Sequence, residues 1–374
     1  MRNDAELAAI ADEHGTPVLI LERAVLEQRL ALFKRLLPRV SPHYAVKACP
    51  HPEVVRTRHG AGAAFDIATS GEIDILRGCR VPPSATIHTH PIKRDVDIRA
   101  ALRYGCTTFV VDNASEIDKF ARYRERVGLL LRIRIDNERA RIDLSRKFGC
   151  APDAVPELIA YAASRQVHVK GLSFHVGSGN ADPAAHVHAV RTLAATLEDC
   201  RGVTGARLTV LDIGGGFPVS HSLGAEDPLA AYCAPLAGVI AELPSRISVV
   251  AEPGRALVAP AMSSVNTVVG KAVRGGTPWY YLDDGVYGAF SGRVFDHAEF
   301  ELLPLGEAAR PGAAASPAVI AGPTCDSIDV VSDACPLPEL EIGDRLLTRM
   351  IGAYSWATAT EFNSIPRPKV VVID

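Results

Sequence analysis

The chain has 374 residues, 48% of them hydrophobic, with a formal net charge of -3. That length exceeds one ordinary compact domain and suits a barrel-sized domain plus a smaller one, or two domains. The near-neutral balance, with no run of Lys/Arg and no acidic tail, argues against nucleic-acid binding and against a disordered solvating arm.

The first residues, "MRNDAELAAIADEHG", carry acids where a secretion signal is basic and then apolar. They read as a short amphipathic helix. No apolar run reaches the roughly 18 residues of a spanning helix, so no membrane partner is expected. The eight cysteines show neither a C-x-x-C pair nor zinc spacing, which fits reduced thiols and a cytoplasmic location.

A strand is predicted at Thr16 to Glu22. Eight apolar, β-branched runs follow, beginning at Val40–Ala48, Ala64–Ala68, Ala85–Pro91 and Thr107–Asn113. The other four are Leu129–Ile135, Val169–Gly177, Leu208–Gly216 and Ile247–Gly254. Helical periodicity separates them at Ser70–Cys79, Asp95–Tyr104, Ser115–Glu125, Ala154–Arg165, Ala184–Cys200 and Leu229–Leu243. Near-continuous apolar strands alternating with helices predict a parallel sheet covered by helices. Eight is the number that closes a (β/α)₈ TIM barrel, and a doubly wound open sheet is the competing architecture.

After Gly254 the rhythm changes to strands without long helices, among them "SSVNTVVGKAVR", "PWYYLDDG", "PAVIAGPTC", "DRLLTRM" and "PKVVVI". These predict a second, C-terminal antiparallel β-barrel-like domain. The segment Glu307 to Ala318 reads as a surface loop. The expected division is a barrel over residues 23–254 and a β domain from residues 1–22 and 255–374.

The barrel strands share a feature: polar or glycine residues at or near their C-terminal ends. These are Lys47, Asp66, His88 and His90, Asp112, Arg132, His175, Gly214 to Gly216, and Glu252. In a barrel those ends lie on one face, around one axis. A lysine in a partly dry pocket is a good Schiff-base amine. A glycine run leaves bare backbone N–H groups that can cradle a phosphate, and Arg255 can add charge there. A carboxylate at Glu252 can hold a pyridine nitrogen protonated. Lysine, phosphate cradle and ring-nitrogen partner together describe a pyridoxal phosphate site.

Each residue alone also has a plain reading. A lone lysine is usually at the surface, and "DIGGGFP" alone is a tight turn that lacks the G-x-G-x-x-G dinucleotide spacing. His88 and His90 share a face, but no third ligand stands out, so no metal is expected. His186 and His188 do not share a helix face and read as ordinary helix residues.

In order, "YAVKA", "FDIATSGEI", "SFHVGSG", "DIGGGFP", "EPGR", "YYLDDGVYGAF", "GPTCDSID" and "GAYSWATATEFN" span nearly the whole chain. With them the sequence resembles the eukaryotic-type ornithine decarboxylases, in the alanine racemase-like group of pyridoxal phosphate enzymes. The resemblance implies a barrel followed by a β domain. It implies that Lys47 bonds the cofactor aldehyde, with Asp66 beside it and Arg132 lining the pocket. His175 stacks on the ring and Glu252 pairs with the ring nitrogen. Ser178, Gly214, Gly215, Gly216, Arg255 and Tyr354 hold the phosphate, and Gly254 is a further cofactor contact. Cys325 and Asp326 come from the partner subunit of a head-to-tail homodimer with shared active sites. Cys325 returns a proton to the α-carbon, and Asp326 binds the distal amine near Tyr287 and Asp296.

The implied reaction is decarboxylation of a small-molecule amino acid. Racemases of this fold place an arginine at the Glu252 position, which keeps the ring neutral. Diaminopimelate decarboxylases carry "CES" where this chain has "CDS", which points to a basic substrate. L-ornithine, giving putrescine, leads, with L-lysine second. Arginine, shorter diamino acids and a D-amino acid stay open. So do a non-catalytic regulatory homologue and a barrel lyase that uses Lys47 without pyridoxal phosphate. Two departures from the pattern, Ser327 in "CDS" and Ser364 in "FNS", stand where glycine is usual, and they bear on substrate length.

Overall fold

The computed structural model describes residues 2–135, 137, 145–220, 226–309, 312 and 314–374. Two compact units divide the chain. One comprises Met1–Gln28, Ser220–Glu226 and Val258–Asp374, the other Arg29–Val219 and Asp227–Leu257.

A first strand, β1 (Val18–Glu22), belongs to the former. The latter holds the eight strands β2 (Val40–Ala45), β3 (Ala64–Ile67), β4 (Thr86–His88), β5 (Thr108–Val111), β6 (Gly128–Ile133), β7 (His168–Phe174), β8 (Val210–Asp212) and β9 (Ser248–Ala251). Each pairs with the next in parallel, and β9 returns to β2 to close the barrel. The strands are apolar along their length because both faces are covered. Tyr44, Phe65, Phe109, Leu131, Leu172 and Leu211 are all buried. The open doubly wound sheet is thereby excluded.

Helices stand where the periodicity placed them, at Ser70–Gly78, Asp95–Tyr104, Val155–Ser164, Ala184–Asp199 and Leu229–Glu242. The helix predicted to run to Glu125 stops at Phe120 and continues as a 3-10 turn over Ala121–Arg126. That turn has no buried residue, so no apolar face sustains the α-helix there. Side chains close several helix ends. Asn113 and Thr69 accept from the N–H groups of Glu116 (3.0 Å) and Glu72 (3.3 Å). Arg39 donates to the carbonyls of Ile240 (2.7 Å), Ala241 (3.1 Å) and Leu243 (2.8 Å), capping the C-terminus of Leu229–Glu242.

The other unit is built on a long strand, β10 (Met262–Arg274), with β11 (Thr277–Leu282), β12 (Leu303–Leu305), β13 (Ser316–Ala321), β14 (Val330–Leu337), β15 (Arg345–Thr348) and β16 (Lys369–Ile373). The order is β12-β15-β10-β11-β13-β14, with β1 pairing β10 and β16. The early strand thus joins the β domain. Most pairs are antiparallel, as the sequence predicts, but β1–β16 and β11–β13 are parallel, so the sheet is mixed. Parallel neighbours need long connections. Here those are the chain from Arg23 to Pro368, which holds the whole barrel and β10 to β15, and the segment from Asp283 to Ala315, which strand patterns alone cannot reveal. Leu7 and Ala11 of the N-terminal helix pack with Val18, Ile20, Val265, Leu305 and Leu347 to form a core. In the predicted loop 307–318, residues 310, 311 and 313 lie outside the described residues, and Ser316 already opens β13. Among the described residues no helix is long and apolar enough to cross a membrane.

Candidate active site

Lys47 is not the last residue of its strand. β2 ends at Ala45, and Lys47 sits in the 3-10 turn Val46–Ala48 that follows. The turn aims its amine at β3, where Nζ lies 3.1 Å from Asp66 Oδ2. The lysine side chain is 42% exposed and that of Asp66 1% exposed, so the amine is reachable while its counterion is fixed. The other Asp66 oxygen accepts from Thr89 Oγ1.

Two further carboxylates close the far wall. Asp212 ends β8, and Glu252 follows β9. Asp212 accepts from Ser173 Oγ (3.1 Å) and from the Gly214 N–H (3.0 Å). The Glu252 N–H donates to Gly214 O (2.7 Å). Burial, then Asp212 and Asp66, push the Glu252 carboxyl well above the usual range, and Lys47 only partly opposes this. Burial raises Asp212 too, against a hydrogen bond from Glu252. The pair therefore shares a proton until a cation arrives between them. Arg132 faces this wall. Burial lowers its pKa, and Glu252, Asp112, Asp212 and Asp66 hold it charged. Its guanidinium lies 5.3 Å from the Phe148 ring centre.

His175 follows β7. Its Nδ1 accepts from the Gly177 N–H at 3.0 Å. Burial, then Arg132 and Lys47, keep it far below its ordinary pKa, so it presents a neutral flat ring. The glycine turn approaches that ring. A Cβ at Gly214 (φ +64°) would lie 2.2 Å from Phe174 O, and one at Gly216 (φ +96°) 2.5 Å from Gly177 O. A Cβ at Gly215 would lie 2.9 Å from His175 Nε2. Only glycine fits this close approach. Ser178 lies just beyond β7, and Gly254 and Arg255 just beyond β9, at the same end of the barrel.

Three residues read otherwise in the sequence. His186 is no ordinary helix residue: it is fully buried, with Nε2 2.8 Å from Ile213 O and Nδ1 2.8 Å from Tyr232 Oη. It braces the strand that feeds the glycine turn. The signal was its spacing, because His186, Ala189, Val190, Leu193 and Leu197 form one buried stripe. His88 is buried with neither ring nitrogen hydrogen-bonded and packs on Phe109, while His90 Nδ1 accepts from the Ile92 N–H. No group of three metal-ligating side chains occurs among the described residues.

Glu72 is a site neighbour that the residue patterns did not single out. Its carboxylate accepts from the Ala68 N–H, and burial with Asp66 nearby raises it from the ordinary 4.5 to about 7. The folded protein thus holds a proton here that the unfolded chain has lost, so stability falls as pH rises between those values. Glu72→Gln is expected to flatten the decline of the cofactor-free thermal midpoint across that window. Melting curves at half-unit pH steps check this, and an unchanged slope would assign the decline elsewhere.

The remaining predicted residues lie in the β-sheet unit. Tyr287 Oη donates to Asp326 Oδ2 at 2.6 Å, and Phe362 stacks on Tyr287 with ring centres 4.3 Å apart. The Tyr287 bond and the Ile328 N–H hold Asp326 below the usual carboxylate range. Buried Asp329 ties the loops together. It accepts from the Val286 N–H (2.8 Å), the Thr324 N–H (3.1 Å) and Thr324 Oγ1 (2.7 Å). It was not among the predicted site residues. Cys325 is exposed. Asp296 is buried at the end of the turn Gly292–Phe295, and Tyr354 sits at φ +56° with its carbonyl accepting from Thr358 Oγ1 (2.7 Å).

The barrel residues fit pyridoxal phosphate. Three buried carboxylates, Asp66, Asp212 and Glu252, face two cations, Lys47 and Arg132, which leaves room for a ring N–H⁺. The glycine turn offers the N–H groups of Gly215 and Gly216 to a phosphate, that of Gly214 being given to Asp212, the neutral imidazole offers a flat surface, and the reachable amine a partner for an aldehyde.

The model of the pyridoxal binding domain of the pyridoxal-dependent decarboxylases matches residues 23–259. A lysine/ornithine decarboxylase of Selenomonas ruminantium is 36% identical over 372 residues, covering 100% of this chain and 93% of that one. The crystal structure of a lysine/ornithine decarboxylase from Vibrio vulnificus with putrescine is 43% identical, with a TM-score of 0.91, covering 99% of this chain and 98% of that one. An arginine decarboxylase of Paramecium bursaria Chlorella virus with agmatine is 30% identical, with a TM-score of 0.93, covering 99% and 100%.

Proposed function

The chain belongs to the pyridoxal-dependent decarboxylases, and we propose that within them it removes carbon dioxide from a basic L-amino acid, L-ornithine first and L-lysine second. The observation that carries this is the ionised Asp326, held by Tyr287 under the Phe362 ring. An anion beside aromatic walls suits an alkyl chain that ends in a cation. The putrescine complex of the Vibrio vulnificus relative and the agmatine complex of the viral one support an ammonium or guanidinium at that end.

Pyridoxal phosphate, when bound, draws electrons from the substrate α-carbon and so stabilises the charge left as carbon dioxide departs. Lys47 would hold the aldehyde, and Asp66, 3.1 Å from its Nζ, would keep that amine in place. Glu252 would keep a proton on the ring nitrogen, with Arg132 and Asp212 setting the charge around it. His175 would pack on the ring. Ser178, the turn Gly214 to Gly216, Arg255 and Tyr354 would hold the phosphate, with Gly254 a further cofactor contact. Cys325 returns a proton to the α-carbon, and Asp326, Tyr287 and Asp296 take the distal cation. The working form is a homodimer in the cytoplasm, each site taking Cys325 and Asp326 from the partner. Ile328, 56% exposed next to that pair, and Phe295, 63% exposed, suit burial against a second copy.

Carbon dioxide release from a panel of L- and D-ornithine, lysine, arginine, shorter diamino acids and their Nω-acyl derivatives tests the reading. The L-diamino acids should exceed their acylated forms by about a hundredfold in kcat/KM, because an acyl group leaves Asp326 unpaired. Preference for an acidic side chain, or no release from any basic one, overturns it.

A further inference from the structure

Asn363 lies in the turn Phe362–Ser364, where Asn363 (φ +56°) and Ser364 (φ +59°) are both left-handed. Asparagine tolerates that conformation, serine less so, and the pair is held by its surroundings. The Ser364 N–H donates to Glu361 O (2.9 Å), and the Thr360 N–H to Tyr287 O (2.8 Å). The turn brings the Asn363 side chain onto the loop of Cys325. Its Oδ1 accepts from the Cys325 N–H at 3.1 Å and from Cys325 Sγ at 3.4 Å.

These two contacts have different consequences. The backbone N–H can only donate, so it fixes which end of the carboxamide faces the cysteine. The sulfur then meets an acceptor, and it can bond to that acceptor only as S–H. We propose that Asn363 is the positioning residue for the Cys325 thiol, holding its S–H in one rotamer as a hydrogen-bond donor. This rests on the reading of Cys325 as the proton donor. In the transfer, the S–H turns from Asn363 to the substrate α-carbon. The S–H bond breaks as the C–H bond forms, its electron pair stays on sulfur, and solvent returns the proton. Asn363 acts through Cys325. The left-handed turn supplies the geometry, so a residue outside the proposed catalytic set decides the face from which the proton arrives.

Asn363→Gly removes the carboxamide and keeps the left-handed turn, while Asn363→Asp keeps an acceptor oxygen. Cys325 is the one exposed cysteine of the eight, so iodoacetamide labelling of the holoenzyme, read by peptide mass, reports its freedom. Asn363→Gly should label about fivefold faster than the parent, the scale of one weak hydrogen bond, and Asn363→Asp should stay near the parent. In D₂O the parent should give product amine deuterated on one face, and Asn363→Gly a mixture of both faces. Labelling of Asn363→Gly within twofold of the parent, or single-face deuteration in it, overturns the proposal. Cys325→Ala separates the two ideas: deuteration on one face at the parent rate in that variant removes the proton-donor reading, whatever the labelling shows.

Discussion

Lys47→Ala is expected to abolish the near-visible absorbance of the bound cofactor and to lower carbon dioxide release by about 10³-fold or more, the scale of a positioned group that both bonds and relays protons. The structure gives the reasons in order. The 3-10 turn after β2 swings the amine out of the strand and toward Asp66, 3.1 Å away. Asp66 is buried and also engaged by Thr89, so the counterion cannot follow a wandering lysine. Alanine removes the amine and leaves Asp66, Asp212 and Glu252 with one fewer cation. Cofactor affinity should therefore fall along with catalysis. Added methylamine or ethylamine should restore part of the rate, because a small cation fits where the side chain was. A Lys47→Ala protein that keeps the band and turns over at the parent rate would remove the lysine from the mechanism. Equilibrium dialysis of the cofactor, run beside the assay, separates lost binding from lost chemistry.

How far the sequence foretold this depends on which residue is considered. Lys47, Asp66, Arg132, His175 and Glu252 were legible because a polar residue at the end of an apolar strand violates the pattern around it. The closed parallel order turns those separate violations into one rim. Asp212 was hidden inside "LDIGGG": the glycines drew attention as a phosphate cradle, while the carboxylate before them looked like part of a turn. Glu72 and Asp329 were hidden for another reason. Each mainly accepts backbone N–H groups, and such bonds depend on loop geometry that no spacing rule reports. His186 is visible in principle, since it opens the buried stripe of its helix with Ala189 and Val190, whereas its spacing to His188 carries no such signal. The parallel pairings of the second sheet join strands distant in sequence, so local alternation could not predict them.

Glu252→Gln is the second large effect expected, and it separates catalysis from stability by sign. Glu252 is 7% exposed, and the pKa of its carboxyl is pushed up by burial, Asp212 and Asp66. Without a cation on the ring nitrogen, the site therefore holds an extra proton relative to the unfolded chain. A raised carboxyl pKa means that this source of stability is lost as pH climbs above the usual carboxylate range. Glutamine keeps the size and the hydrogen bond to Asp212 but cannot ionise. The cofactor-free variant should consequently melt higher than the parent at pH 8, and its midpoint should vary less with pH. Catalysis should move the other way. An anion roughly 4 Å from a cation is worth about 4 kcal/mol at an effective dielectric near 20, on the order of 10³-fold in rate. Asp212 remains nearby and supplies part of that, so kcat should fall about 10²-fold to 10³-fold with little change in KM. Steady-state rates and melting curves on one preparation check both arms. A variant that is both slower and less stable would mean that Glu252 acts as a structural group. One that keeps the parent kcat would place the partner of the ring nitrogen elsewhere on the rim, with Asp212 next in position.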